Sequence, residues 1–169
     1  MNFPRILKKR KGYIDRIKPF MQKSVAKVLT GQRRVGKSFL LYQLIEEILG
    51  EEPDANIIYI NLEDFAFSSL QTAEDLHSYI ISHSKEKVKN YIFIDEIQDI
   101  PGFEKVIRSL LLNEDNDIYI TGSNAKMLSG ELATYLSGRY IEFKIYSLSY
   151  SEFLEFHGLT ESETSYELY

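Results

Sequence analysis

The residues Gly31-Gln32-Arg33-Arg34-Val35-Gly36-Lys37-Ser38 place two glycines, with four residues between them, ahead of a lysine and a hydroxyl side chain. This is the pattern of a phosphate cradle. Glycines let the backbone turn tightly around phosphates, and successive N–H groups then point inward as an anion nest. A helix starting near Lys37 adds the positive end of its dipole. The Lys37 ammonium can reach the β- and γ-phosphates of a nucleoside triphosphate, and the Ser38 hydroxyl can ligate Mg²⁺. Phe39, next on the helix, joins this binding set. Chance supplies the pattern in well under roughly one chain in a hundred of this length, so phosphate binding outweighs a glycine-rich turn with an exposed lysine.

A second group is Tyr91-Ile92-Phe93-Ile94-Asp95-Glu96, an apolar run ending in two carboxylates. In an open α/β sheet, ligands gather at the C-terminal ends of the strands. Asp95 there could hold Mg²⁺, directly or through water, and Glu96 could polarise an attacking water. Without the phosphate loop, these would be two solvated acids at a strand end. Further positions have a possible chemical reading, some beside a bland one. Ser123 or Asn124, in Ile120-Thr121-Gly122-Ser123-Asn124, could orient the water or touch the γ-phosphate, or simply form a turn and helix cap. Arg139 could stabilise charge on a transferring phosphoryl group, or lie on the surface. Asn61 could hydrogen-bond Glu96 and gate its orientation.

Alternating strands and helices must position these groups. Residues 25–30 read as a strand, 31–36 as the loop and 37–49 as an amphipathic helix stopped by Gly50. Residues 56–62, 91–94, 117–120 and 140–146 read as further strands. Helices are expected from Thr72 to about Ser84, with Glu74 and Asp75 in the first turn, and from Pro101-Gly102 to about Leu112. Residues 126–136 and 149–157 are also expected to be helical, the latter capped by Ser149 with Glu152 three residues on. The tail after Gly158 reads as polar and frayed. This order implies a mostly parallel sheet with helices on both faces, and continuous apolar strands agree with burial on both sides.

At 169 residues, with 44% hydrophobic and 27% charged side chains, the chain suits one soluble domain with a substantial core. The absence of cysteine excludes disulfides, thiolate metal sites and a cysteine nucleophile; it fits the cytoplasm. No apolar run approaches the roughly 20 residues that span a bilayer, and the start lacks a secretory apolar region. His77, His83 and His157 show no metal-ligand spacing. The net charge of −5 conceals an asymmetry: residues 1–40 carry twelve Lys and Arg against one acid, Asp15. That fits weak nucleic-acid contact through a basic arm around Lys8-Lys9-Arg10-Lys11, or a solvated, poorly ordered terminus.

Together, Gly31–Ser38, Ile94-Asp95-Glu96-Ile97-Gln98, Thr121-Gly122-Ser123-Asn124, Ser137-Gly138-Arg139-Tyr140 and Leu148-Ser149-Tyr150-Ser151-Glu152-Phe153 resemble an AAA+-type P-loop ATPase of the additional-strand class. Within that class the chain is similar to prokaryotic ATPases of the AAA_14 type, often found with a C-terminal DUF4143 domain. The resemblance covers roughly residues 25–153. It implies an α/β P-loop NTPase three-layer sandwich with a five-stranded sheet of order 5-1-4-3-2. It also implies Walker A at Gly31–Ser38, Walker B at Asp95 and Glu96, sensor 1 at Ser123 or Asn124, and an arginine finger at Arg139.

The organisation expected is a basic arm and short helix over 1–24, an ATPase core over 25–157 and a polar tail over 158–169. Family members usually continue into a lid and a C-terminal domain, and no lid arginine is assigned here. The expected function is Mg-dependent ATP hydrolysis driving conformational change of a partner or a C-terminal domain, in a possible homo-oligomer. A non-hydrolysing nucleotide-binding module is the alternative. Asn124-Ala125-Lys126-Met127 lacks the guanine-recognition pattern, and no acceptor site for a small-molecule kinase is visible.

Overall fold

The computed structural model describes residues 8–123, 135–136 and 138–169. Five strands form one parallel sheet: β1 (Ala26–Gly31), β2 (Asn56–Asn61), β3 (Asn90–Asp95), β4 (Asn116–Ser123) and β5 (Tyr140–Lys144). Their order is β2-β3-β4-β1-β5, the expected 5-1-4-3-2 read from the other edge. All four neighbouring pairs are parallel, so every strand ends on the same edge of the sheet.

Strand alternation splits the core into two faces. Val28, Ile92, Ile94, Ile118 and Ile120 pack with Leu76 and Ile80 of α3 (Ala73–His83) and with Val106, Ile107 and Leu110 of α4 (Phe103–Leu110). The alternate positions Leu29, Tyr91, Phe93 and Tyr119 pack with Ile14 and Ile17 of α1 (Lys11–Ile17) and with Leu40, Leu41, Leu44, Ile45 and Ile48 of α2 (Lys37–Glu51). Period-two strands between period-3.6 helices therefore make the expected three layers. On the second face the Phe93 and Tyr119 rings stack with centroids 4.4 Å apart.

Lys27 and Asp117 form an ion pair shut away from solvent at the opposite end of the sheet from the phosphate loop. The carboxylate also accepts from Tyr119 Oη at 2.8 Å and from the Gln22 backbone N–H at 2.8 Å. Burial lowers the Lys27 pKa, while the adjacent Asp117 opposes that shift. The additional bonds satisfy oxygens that a bare buried pair would leave stranded.

Three local expectations differ from the structure. Helix α2 runs through Gly50 to Glu51, because helical glycine costs only about 1 kcal/mol and the apolar face continues to Ile48. The 158–169 tail contains α6 (Glu163–Leu168), opened by a Ser162–Ser165 capping box. Tyr166 and Tyr169 of that tail meet Tyr150 of α5 (Tyr150–His157) edge-on at 5.4 and 5.5 Å. Finally, Arg10 departs from the solvated run expected over residues 8–11: it is only 5% exposed, whereas Lys8, Lys9 and Lys11 are exposed. Most of the helix expected over 126–136 lies outside the described residues.

Candidate functional site

The phosphate loop leaves the C-terminal end of β1, between β4 and β5. Gly31 is required by a close approach: a Cβ there would collide with the Ile145 carbonyl oxygen. Gly36 has φ of 91° immediately before α2, a conformation that side chains other than glycine rarely tolerate. Arg34 also adopts a positive φ, 68°. The loop leads directly into a 15-residue helix whose first residue is Lys37, so free N–H groups and the helix dipole meet at one place.

A cleft of about 560 Å³ opens over this turn, lined by Arg33, Arg34, Gly36, Lys37, Ser38, Phe39, Glu63 and Glu96. Lys37 is almost wholly buried, and its Nζ donates to the Gly31 and Gln32 carbonyls at 3.3 and 3.2 Å. The same nitrogen lies 3.3 Å from Glu96 Oε1. Arg33 approaches Glu63 across the exposed mouth at 3.8 Å.

The two acids of β3 are set differently. Asp95 ends the strand with its side chain buried, whereas Glu96 turns out of it with φ 56° and ψ 47°. A left-handed conformation costs a non-glycine residue about 1–2 kcal/mol and here directs the carboxylate toward Lys37. Thr121 holds both acids: its hydroxyl donates to Asp95 Oδ1 and accepts from the Glu96 backbone N–H at 3.0 Å. Ser38 lies beside Asp95, close enough to favour its ionised form. Burial pushes the Asp95 carboxyl above the usual range, against the pull of Ser38, the Thr121 hydrogen bond and the Lys37 charge. Tyr59 Oη stands 3.5 Å from Asp95 Oδ2 and donates to Tyr42 Oη at 3.1 Å. Burial raises the Tyr59 phenol pKa, so it remains a neutral donor.

Ser38 and Asp95 therefore present a hydroxyl and a carboxylate side by side, the hard-oxygen donors that Mg²⁺ takes alongside nucleotide phosphates. Among the described residues no group of three or more His, Asp or Glu could cage a metal alone. The arrangement fits a metal held jointly by protein and triphosphate.

Ser123 pairs in register with Gly31 at the end of β4, beside the phosphate loop. Asn124 lies outside the described residues. Asn61 does not reach Glu96: its side-chain oxygen accepts from the Glu63 backbone N–H at 3.0 Å, a local turn favoured by asparagine. Gln98 takes that place instead, donating to Glu96 Oε2 at 2.7 Å, while its own Oε1 is buried without a hydrogen-bond partner among the described residues. Arg139 is exposed and precedes β5, where its carbonyl accepts from Ala26 N at 2.9 Å. That is the start of β1, the sheet edge opposite its own phosphate loop, so the chain does not bring Arg139 to its own cleft.

Sequence reasoning thus missed Thr121, Gln98, Tyr59 and Glu63. Thr121 and Gln98 lie inside segments already singled out, and their polarity beside strand ends was the available signal. Several basic side chains of the described part of the arm are also engaged within the molecule. Lys9 and Lys18 converge on Glu47, and Lys8 meets the Glu155 and Phe156 carbonyls that end α5.

The profile of the AAA_14 family, described as an AAA domain, matches residues 23–154. An uncharacterized protein of Haemophilus influenzae is 44% identical over 150 residues, covering 86% of this chain and 37% of that protein. An uncharacterized protein of Methanocaldococcus jannaschii is 38% identical over 131 residues, covering 77% and 28%. The chain spans about a third of the length of these relatives. Among solved structures, the Aeropyrum pernix ORC1 protein in complex with DNA superposes with a TM-score of 0.62 at 14% identity, covering 98% of this chain and 51% of that one. AMPPCP-bound DnaA from Aquifex aeolicus does so with a TM-score of 0.53 at 15% identity, covering 94% and 55%. At such identities these structures share the fold. No described helix is long and apolar enough to cross a membrane. The matched profile and the sheet order make this chain a member of the AAA_14 family of AAA-type ATPase domains.

Proposed function

We propose that the domain binds ATP with Mg²⁺ in the cleft and hydrolyses it, driving a conformational change in a partner or in a C-terminal domain. The observation that carries this reading is the convergence of Lys37, Ser38, Asp95 and Glu96 on one side of the phosphate loop. Residues from Gly31 to Phe39 enclose the phosphates, and Lys37 exchanges its contacts with Gly31, Gln32 and Glu96 for phosphate oxygens. Ser38 and Asp95 hold the metal, which supplies positive charge beside the transferring phosphoryl group. Glu96, steadied by Gln98, accepts a proton from the attacking water. Ser123 or Asn124 orients the attacking water or contacts the γ-phosphate.

Arg139 acts in this scheme only on the nucleotide of a neighbouring copy, because it sits at the far edge of its own sheet. A homo-oligomer in the cytoplasm is the corresponding assembly. Nucleic-acid contact through the N-terminal arm is weak and salt-sensitive, since Lys8, Lys9, Arg10 and Lys18 already have partners within the chain.

Steady-state ATP turnover, measured across protein concentration with and without DNA, tests the proposal. Mg-dependent turnover that rises per subunit with concentration is expected. Nucleotide binding without turnover in wild-type protein would instead identify a non-hydrolysing module.

A further inference from the structure

Arg10 uses all five N–H donors of its guanidinium. Nε and Nη2 grip Glu152 of α5 at 2.8 and 2.9 Å, in a bidentate pair. Nη1 donates to the Val35 carbonyl, inside the phosphate loop, at 3.1 Å and to the Tyr146 carbonyl at 3.0 Å. Nη2 also donates to the Ser147 carbonyl at 3.3 Å. The cation lies 4.5 Å from the Tyr13 ring centroid, and the Tyr13 hydroxyl accepts from Tyr146 N. From the other side, the Arg10 backbone N–H donates to Gln43 of α2 at 2.9 Å. One side chain thus joins the phosphate loop, the segment after β5 and the first turn of α5.

We propose that Arg10 is a positioning residue that couples the conformation of the phosphate loop to helix α5. Three arguments support a relay above a simple fastener. First, the Val35 carbonyl belongs to the part of the chain that must orient its N–H groups on a phosphate, so movement there acts directly on Arg10. Second, the planar fork fixes the loop carbonyl and the Glu152 carboxylate in one rigid geometry, which a flexible ammonium does not reproduce. Third, Lys8 holds the carbonyls at the other end of α5, so the short stretch 8–10 grips the helix at both ends. The nucleotide arm of the test rests on the proposed ATP-binding reading, whereas the nucleotide-free arm does not.

The chain has no cysteine, so a single Glu155→Cys substitution on the exposed side of α5 accepts one environment-sensitive dye. Nucleotide occupancy is measured by calorimetry with a non-hydrolysable ATP analogue and Mg²⁺, and the dye signal is followed over the same titration. The expected result is a dye response that tracks occupancy in the parent. Arg10→Lys should still bind, with affinity weakened on the order of tenfold, and lose most of the response. A bound parent without response, or Arg10→Lys responding like the parent, would overturn the coupling.

If calorimetry shows no binding in the parent, the ATP reading fails and the coupling is decided without nucleotide. Amide exchange of residues 31–38 is then compared between wild type and Glu152→Gln. Faster exchange in the loop with unchanged β3 and β4 supports the relay; an unchanged loop overturns it.

Discussion

Lys37 Nζ lies 3.3 Å from Glu96 Oε1 at the base of the cleft, both side chains nearly excluded from solvent. On the proposed reading, the cation that attracts phosphate is thereby restrained by the carboxylate that activates water. An incoming triphosphate must compete with Glu96 for Lys37, and that competition also releases the carboxylate for its own task.

Glu96→Gln removes this competition and the base together. The variant should bind Mg-ATP several-fold more tightly than wild type and lose turnover on the order of 10²–10⁴-fold. Calorimetry and a phosphate-release assay on the same preparation check both halves. Turnover at the wild-type rate would place the base elsewhere.

Thr121 should prove as important as the acids it holds. Thr121→Val keeps the shape but leaves the Glu96 N–H and an Asp95 oxygen without their partner, which costs about 1–3 kcal/mol of stability. Turnover should fall more than affinity, because the phosphate loop is untouched, and Thr121→Ser should restore most of it. Denaturant melts with steady-state kinetics on the three proteins separate stability from catalysis.

The α5 attachment should be acid-sensitive. Hydrogen bonding from Arg10 holds the Glu152 carboxyl below its usual range, against its partial burial. A depressed folded-state pKa contributes stability above the unfolded value, about 4.3 for glutamate, and loses it as pH falls through the folded value. Amide protection in α5 should therefore persist at pH 5 and decline below the ordinary carboxylate range. Arg10→Ala should remove that dependence. Hydrogen exchange across an acid series reads this directly, and identical profiles in the two proteins would contradict it.

Arg139 is a prediction about assembly. Its placement at the start of β5 leaves a trans contact as its role in the proposed hydrolysis, and on that reading Arg139→Ala should lower turnover on the order of a thousandfold while sparing affinity. Mixing it with Glu96→Gln protein should partly restore activity, by pairing one intact base with one intact arginine. No rescue, with turnover independent of concentration, would make Arg139 structural.

The sheet was legible in the sequence because each buried strand announces itself as a short apolar run, and the phosphate loop because its glycines and lysine have fixed spacing. The capping residues Thr72 and Ser149 also appear where expected, each in a full capping box. The less legible features depend on distant partners. Arg10 looked like one charge in a basic run, yet its partners lie 25 to 142 residues away. Tyr166 and Tyr169 looked polar-tail residues until α5 supplied aromatic neighbours. Asn61 was expected beside Glu96 from its strand-end position alone, but its side chain closes a local turn and Gln98 stands nearer the acid.

The central claim is that Lys37 binds nucleotide phosphate, and calorimetric titration of wild type and Lys37→Ala with Mg-ATP tests it most directly. Wild type should give a saturable one-site isotherm, and Lys37→Ala should lose it with a thermal midpoint within about 2–4 °C of wild type. Equal affinity in the two proteins, or no binding heat in wild type at several temperatures, would contradict the account.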